Sequence, residues 1–157
     1  MKEKKLVLKL IEKRYKIATA ESCTGGMVAA TIVNVPMASK VIDESIVTYA
    51  NEAKIKYLGV SPESIEQKGV VSEEVAGQMA SGIAKTANAN VGVGVSGIAG
   101  PSGGSKEKPV GTVCFGFSVE GKVQTFTMHF SGSRMAVRKK STKFVIDTLL
   151  KMLDATD

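Results

Sequence analysis

The sequence has few of the residues that form disulfides or hold transition metals. Its 157 residues include two cysteines, one histidine and no tryptophan. Cys23 and Cys114 are far apart and form no CxxC pair, which favours reduced thiols in a reducing compartment. Because His129 has no cysteine, histidine or carboxylate cluster around it in the sequence, we expect neither a metal site nor a cofactor.

Long apolar runs are also missing. The apolar stretches are broken by Gly, Lys or Glu within a few residues, and residues 1–15 form a charged amphipathic segment unlike a signal peptide. We therefore expect a cytoplasmic protein that does not enter a membrane. With 43% apolar residues in a chain of this length, we expect one domain, residues 1–157, around a single core.

The net charge is +6, from 21 Lys and Arg against 15 Asp and Glu. Such a balance fits nucleic acid, an acidic ligand or a solvated basic surface. The basic residues are scattered over predicted helical faces, without interleaved aromatic residues or a recognition motif. Nucleic acid is therefore not the expected partner.

Hydrophobic periodicity predicts alternating helices and strands, which implies an α/β fold with a mixed sheet covered by helices on both faces. Helices are predicted at residues 1–15, from about 22–26 to Pro36, from an Asn51 N-cap to Gly59, from Ser61 to Gly69, from Ser72 to about Asn88, and from about Ser133. Strands are predicted at residues 17–20, 46–50, 91–96, 110–119 and 122–130.

Ser22, Lys54 and a glycine-rich loop each follow a predicted strand. Ligands in such sheets lie beyond the carboxyl ends of parallel strands, so these three features are expected to meet at one edge. Ser22 has Gly25 and Gly26 after it, which suits a nucleophile at a helix N-terminus, where free N–H groups stabilise an oxyanion. The alternatives are that Ser22 is only an N-cap, or that the neighbouring Cys23 is the nucleophile.

A serine nucleophile needs a base, and Lys54 is the better candidate. His129 lies within a predicted strand with no carboxylate nearby in the sequence, which is typical of a partly exposed strand residue. Ser–Lys pairs are a known variant of the catalytic triad when burial favours the neutral amine. The alternative for Lys54 is an ordinary solvated helix lysine. The match Ser105-x-x-Lys108 lies in a loop and is attributed to chance.

The loop from Gly97 to Ser105 is neither a Walker motif nor a dinucleotide-binding motif. Its glycines permit a nest of backbone N–H groups that binds an anion. Arg134 and Arg138 are one helical turn apart at the start of the last helix and could clamp the same phosphate, and which of the two contacts it is left open. The alternative is a surface loop with solvated arginines.

These residues resemble the CinA C-terminal domain family, which includes the bacterial nicotinamide-mononucleotide deamidases. The similarity extends over nearly the whole chain, with separated blocks in the family's order. The blocks are Thr19-Ala20-Glu21-Ser22-Cys23-Thr24-Gly25-Gly26, Val47-Thr48-Tyr49 with Asn51-Glu52-Ala53-Lys54, Gly69-Val70-Val71-Ser72, Ser96-Gly97-Ile98-Ala99-Gly100-Pro101 with Gly103-Gly104, Lys108-Pro109-Val110-Gly111-Thr112-Val113, and Ser131-Gly132 with Arg134 and Arg138.

The resemblance implies a three-layer α/β/α fold and metal-independent hydrolysis of the carboxamide of nicotinamide mononucleotide. Ser22 would be the nucleophile, Lys54 the general base and Tyr49 a neighbour that orients the site. The expected partner is a small phosphorylated nucleotide substrate, and a homo-oligomer is expected. The substrate-binding residues that the resemblance suggests are Glu21, Thr24, Gly25, Gly26, Gly97, Ile98, Ala99, Gly100, Gly103, Gly104, Thr112, Arg134 and Arg138.

The segment from Pro36 to Ser45 departs from the family's usual Pro-Gly-Ser-Ser, aromatic residue and paired glycines. It is expected to alter one wall of the pocket, and with it substrate preference. Two alternative functions follow. One is a nucleotide-binding or interaction module that has lost catalysis, and the other is a basic DNA-associated protein linked to competence.

Overall fold

The computed structural model describes residues 1–156, so Asp157, the last residue of the expected domain, lies outside the described residues. These residues form one five-stranded sheet with helices on both faces. The helices are α1 Lys2–Lys13, α2 Met27–Val33, α3 Asn51–Leu58, α4 Pro62–Lys68, α5 Glu73–Thr86 and α6 Arg134–Ala155, with a single 3₁₀ turn at Ala38–Lys40. The strands are β1 Ile17–Glu21, β2 Ile46–Val47, β3 Val91–Gly97, β4 Thr112–Val119 and β5 Lys122–His129.

The sheet is mixed, as predicted, and its strand order is β2-β1-β3-β4-β5. β1 is parallel to β2 and β3, with Glu21 opposite Val47 on one side and Val95 on the other. β4 is antiparallel to both β3 and β5. The carboxyl ends of β1, β2 and β3 therefore lie at the same edge of the sheet.

The helices form two layers. One core cluster joins α1, α2 and α6 to the face of the sheet that carries Ile17, Val93 and Phe115. The other joins α3 and α5 to the face that carries Ala18 and Ala20. α5 lies very close to the sheet, since a Cβ at Gly94 or Gly116 would overlap the carbonyl oxygen of Ala76. The α/β/α layering predicted from the order of elements is thus confirmed.

Serine N-caps place three helices where the sequence predicts them. The hydroxyls of Ser61, Ser72 and Ser133 accept hydrogen bonds from backbone N–H groups three residues later, in the first turns of α4, α5 and α6. The expected Asn51 N-cap is wrong: Asn51 is the first residue of α3, and Ala50 precedes it.

α2 starts at the end of the predicted range, around Ser22 to Gly26, with Gly26 as its N-cap. Gly25 and Gly26 have φ angles of 59° and 96°, which a continuing right-handed helix does not allow, so α2 begins at Met27. It ends at Val33, before Pro36. Strands β2, β4 and β5 are shorter than predicted, with β2 reduced to residues 46–47. Within residues 1–156, no helix is both long and apolar enough to cross a membrane.

Candidate active site

A cavity of about 310 Å³ lies at the carboxyl edge of the parallel strands. Ser22 enters it from the turn after β1, Tyr49 from the turn after β2, and the glycine-rich loop from the end of β3. The complete lining consists of Ser22, Cys23, Tyr49, Val70, Val71, Gly97, Ile98, Ala99, Gly100, Ser102, Gly103 and Arg134. The expectation that these segments meet at one edge is therefore met.

A larger groove of about 690 Å³ lies elsewhere, between α3, α5 and β5. It contains Ser81 and Lys85, but no hydrogen bond joins these two side chains within the described part of the chain. Both of its glutamates already accept hydrogen bonds from protein hydroxyls. Glu73 accepts from Thr125 and Thr127, and Glu74 accepts from Ser64. The smaller cavity, with Ser22 in its wall, is therefore the better candidate site.

Lys54 lies directly behind Ser22 and is buried, with 1% of its surface exposed. Its Nζ is 3.1 Å from the Ser22 Oγ, 2.8 Å from the Thr48 carbonyl oxygen and 3.1 Å from the Tyr49 carbonyl oxygen. In residues 1–156, no carboxylate lies within ion-pair distance of this amine. The alternative of a solvated helix lysine is therefore wrong.

Burial lowers the pKa of the Lys54 ammonium below its ordinary value of 10.5, and the interaction with Cys23 opposes this shift only in part. The two carbonyl oxygens can only accept hydrogen bonds, so they take two N–H groups. In the neutral amine, the remaining position is a lone pair that faces the Ser22 hydroxyl. The geometry therefore suits removal of the Ser22 proton by Lys54.

Cys23 lines the cavity beside Ser22. The residue is 5% exposed. Burial raises the pKa of Cys23 to about 11, against the opposing effects of its own backbone N–H, Arg138 and Lys54. A protonated thiol is a poor nucleophile, so the environment favours Ser22 over Cys23.

Glu21 does not line the cavity, which corrects its expected role in substrate binding. Successive strand residues point to opposite faces, and Glu21 is on the same face of β1 as Ile17, toward α2. The carboxylate is 1% exposed and accepts five hydrogen bonds. Its donors are the hydroxyls of Thr19 and Thr24 and the backbone N–H groups of Gly26, Val28 and Ala29.

These bonds also explain why Thr24 and Gly26 lie outside the cavity lining. Thr24 is fully buried with its hydroxyl on Glu21, and the Gly26 N–H is directed to the same carboxylate. The backbone N–H groups of Val28 and Ala29, in the first turn of α2, also donate hydrogen bonds to the Glu21 carboxylate. The free helix N-terminus expected beside Ser22 is therefore absent from the described structure.

Arg134 and Arg138 have different protein partners, and only Arg134 lines the cavity. Arg134 lines the cavity, and its guanidinium donates to the Gly100 carbonyl oxygen at 2.7 Å and to the Tyr49 hydroxyl at 3.0 Å. Arg138 is outside the lining and donates to the carbonyl oxygens of Cys23 and Thr24 at 2.9 and 3.1 Å. Gly25 packs against Arg138 and also lies outside the lining.

The glycine-rich loop forms another part of the cavity wall. Gly97, Ile98, Ala99, Gly100 and Gly103 line the cavity, as expected. Within residues 1–156, no protein group accepts a hydrogen bond from the backbone N–H of Ala99, Gly100, Ser102 or Gly103. Backbone donors without a protein acceptor and the Arg134 guanidinium are groups that can bind an anion.

Gly104 and Thr112 were expected in the site but lie outside the lining. Gly104 packs against Val110, where a Cβ would be 2.7 Å from the Val110 backbone nitrogen. The Thr112 hydroxyl is buried, donates to the Pro109 carbonyl oxygen at 2.6 Å, and is 3.2 Å from His129 Nδ1. Both residues pack or hydrogen-bond within the segment that connects the glycine-rich loop to β4.

Two further expectations concern neighbouring segments. The Ser105 hydroxyl accepts from the Lys108 backbone N–H, while the Lys108 amine donates to the Lys68 carbonyl oxygen, so the Ser105-x-x-Lys108 match is a turn and not a catalytic pair. The segment from Pro36 to Ser45 contributes no lining residue, which corrects its expected place in the pocket wall. Its Ser45 hydroxyl instead accepts from the backbone N–H of Thr19.

Sequence reasoning assigned no role to Val70, Val71 or Ser102, all of which line the cavity. Ser96, at the end of β3, donates from its hydroxyl to the Val70 carbonyl oxygen at 2.8 Å and so holds this segment beside the loop. The block Gly69–Ser72 was part of the family resemblance, which was the available signal. Among residues 1–156, no group of three or more His, Cys, Asp or Glu could hold a metal ion.

The fold and the cavity define an α/β/α protein with a buried serine–lysine pair at the carboxyl edge of its parallel strands. The chain belongs to the CinA C-terminal domain family, whose family model matches residues 1–153.

Individual relatives agree with this assignment. A relative from Alkaliphilus metalliredigens that carries a competence-damage inducible name is 50% identical over 151 residues, covering 96% of this chain and 37% of the relative. A CinA-like protein from Fervidobacterium nodosum is 49% identical over 140 residues, covering 89% of this chain and 34% of the relative. This chain thus spans about a third of the length of such relatives.

Solved structures match over almost their full length. A CinA superfamily protein from Klebsiella pneumoniae superposes with a TM-score of 0.95 at 33% identity, covering 98% of this chain and 96% of that chain. The competence/damage inducible protein CihA from Agrobacterium tumefaciens gives a TM-score of 0.90 at 36% identity, with the same two coverages of 98% and 96%.

Proposed function

We propose that this chain is an amidohydrolase that converts nicotinamide mononucleotide and water into nicotinate mononucleotide and ammonia. The observation that carries the proposal is the buried Lys54 amine, 3.1 Å from the Ser22 Oγ and held by two carbonyl oxygens. A lysine buried without a carboxylate partner costs folding free energy, so its presence beside a serine favours a functional role.

The reaction would proceed through an ester on Ser22. The Ser22 Oγ attacks the carboxamide carbon while the neutral Lys54 amine accepts the hydroxyl proton. Lys54 then delivers this proton to the amide nitrogen, which leaves as ammonia when the C–N bond breaks. In the second half, Lys54 removes a proton from water, and the resulting hydroxide attacks the ester carbon. Lys54 returns this proton to the Ser22 Oγ as the C–O bond to Ser22 breaks, and the carboxylic acid formed loses its remaining proton to solvent and leaves as the carboxylate.

The cavity walls fit the two ends of this substrate. Val70, Val71 and Ile98 supply apolar surface beside Ser22, which suits a flat pyridinium ring. On the loop side, Arg134 and the unpartnered backbone N–H groups suit a dianionic phosphate. Tyr49 connects the two ends, because its carbonyl oxygen accepts from Lys54 and its hydroxyl accepts from Arg134.

The test is whether chelator-treated protein releases ammonia from nicotinamide mononucleotide with an equal amount of nicotinate mononucleotide. Production of both in a 1:1 ratio would support the proposal. Ligand binding without ammonia release would favour the non-catalytic binding module instead. The binding-module alternative was suggested by the divergent Pro36–Ser45 segment, and this segment does not line the cavity. Salt-sensitive DNA binding without turnover would favour the DNA-associated alternative.

A further inference from the structure

The turn that carries Ser22 is held in place at three points. The Ser22 backbone N–H donates to the Val95 carbonyl oxygen at 3.0 Å, which ties the start of the turn to β3. Below it, Glu21 accepts from the Thr24 hydroxyl and the Gly26 N–H. From the side, Arg138 of α6 donates its Nε and one Nη to two successive carbonyl oxygens of the turn.

Arg138 is a fork-shaped donor that fits this pair of acceptors. The Nε lies 2.9 Å from the Cys23 carbonyl oxygen and the Nη2 lies 3.1 Å from the Thr24 carbonyl oxygen. The guanidinium fixes both distances at once, which a lysine ammonium on a flexible stem cannot reproduce. A Cβ on Gly25 would lie 3.2 Å from the same Nη2, so the turn and the guanidinium are closely packed.

The distance between Ser22 and Lys54 depends on this packing. Ser22 belongs to the turn after β1, whereas Lys54 belongs to α3, which follows a different strand. A shift of the turn relative to α3 would therefore change the 3.1 Å distance between the Lys54 Nζ and the Ser22 Oγ. Displacements of about 1 Å in such pairs reduce rates by about 100-fold.

We infer that Arg138 is a positioning residue, which sets the distance between Ser22 and Lys54 through the carbonyl oxygens of Cys23 and Thr24 and does not contact the substrate phosphate. The inference rests on the proposed function, because it requires Ser22 to be the nucleophile. It assigns different tasks to two arginines one helical turn apart: Arg134 faces the cavity, and Arg138 supports the turn.

The test uses a fluorophosphonate probe, which phosphorylates an activated serine with loss of fluoride and needs no nucleotide pocket. Labelling of Ser22, located by peptide mass spectrometry, is compared in the wild type, Arg138→Ala, Arg138→Lys and Lys139→Ala. Lys139 is the next residue of α6, is exposed and lies outside the cavity lining, so Lys139→Ala is the matched control. Thermal unfolding of each variant monitors folding, and Arg138→Lys carries the test if Arg138→Ala does not fold.

We expect the labelling rate to fall about 10-fold to 100-fold in both Arg138 variants and to stay at the wild-type value in Lys139→Ala. The pH midpoint of labelling should not move, because Arg138 acts on the distance between Ser22 and Lys54 and not on the protonation of Lys54. With nicotinamide mononucleotide, kcat should fall while KM stays within about twofold of the wild-type value.

Two results would overturn the inference alone: wild-type labelling rates in both Arg138 variants, or a raised KM with unchanged kcat, which would make Arg138 a substrate ligand. A wild type that is not labelled at Ser22 at all would overturn the proposed function and this inference together.

Discussion

The Lys54 Nζ lies 3.1 Å from the Ser22 Oγ, and the carbonyl oxygens of Thr48 and Tyr49 occupy its other two hydrogen-bonding positions. A neutral amine placed there directs its lone pair at the serine hydroxyl, whereas a charged one would donate to it. The protonation state of Lys54 therefore decides whether the pair can react.

The first prediction concerns pH. Burial lowers the pKa of Lys54, so the fraction of neutral amine increases as pH rises through that lowered value. We expect kcat/KM for nicotinamide mononucleotide to rise with pH along a limb whose midpoint lies below 10.5, the ordinary lysine value. Rates measured between about pH 5 and pH 11.5 test this. A limb centred at the ordinary value, or activity that falls as pH rises, would contradict it.

The second prediction separates the two candidate nucleophiles. Because the pKa of Cys23 is raised to about 11, the thiol stays protonated near neutral pH. We expect Cys23→Ala to keep kcat within about threefold of the wild-type value and to lose about 1 kcal/mol of unfolding free energy through the smaller side chain. Steady-state assays and urea unfolding measure both. A loss of activity as large as that of Ser22→Ala would point to the thiol instead.

The third prediction assigns the phosphate end of the cavity. Arg134 is exposed and contacts the Gly100 carbonyl oxygen and the Tyr49 hydroxyl, so its guanidinium is available to an incoming anion. We expect Arg134→Ala to raise KM for nicotinamide mononucleotide about 10-fold to 100-fold, because the variant loses a charge-assisted hydrogen bond to the phosphate. The control substrate is nicotinamide riboside, which lacks the phosphate. An equal increase in KM for both substrates would show that Arg134 does not bind the phosphate.

The fourth prediction concerns Glu21 and stability. A glutamine has one acceptor oxygen where the carboxylate has two, so Glu21→Gln would leave buried N–H groups beside an amide donor. We expect the free energy of unfolding at pH 7 to fall by about 2–4 kcal/mol. Urea unfolding measures it, with Glu44→Gln as the exposed control, which should change it by less than about 0.5 kcal/mol. Equal stability of the two variants would contradict the structural role of Glu21.

The carboxyl-edge rule explains why Ser22, Lys54 and the glycine-rich loop could be predicted together, whereas Tyr49 was named only through the family resemblance. All of them follow strands that run parallel in the sheet, and parallel strands end at one edge. The start points of α4, α5 and α6 were also predictable, because a serine N-cap acts locally and depends little on the rest of the fold.

The positions of Glu21 and Arg138 depend on tertiary geometry, which the sequence alone does not reveal. Glu21 adjoins the nucleophile in sequence, but the alternation of β1 turns its side chain away from the cavity and toward α2. Arg134 and Arg138 share a helix face, yet they are displaced by about 6 Å along the axis. Because of that displacement, Arg134 contacts the glycine-rich loop and Arg138 contacts the Ser22 turn. The sequence spacing of the two arginines does not predict this difference.

The most direct test of the serine–lysine account compares kcat/KM for nicotinamide mononucleotide in the wild type, Ser22→Ala and Lys54→Met. Lys54→Met keeps the unbranched length of the side chain and removes the amine. The account predicts a loss of at least about 1,000-fold in each variant, with nucleotide binding retained in Ser22→Ala. Ammonia release by Ser22→Ala at the wild-type rate would contradict it.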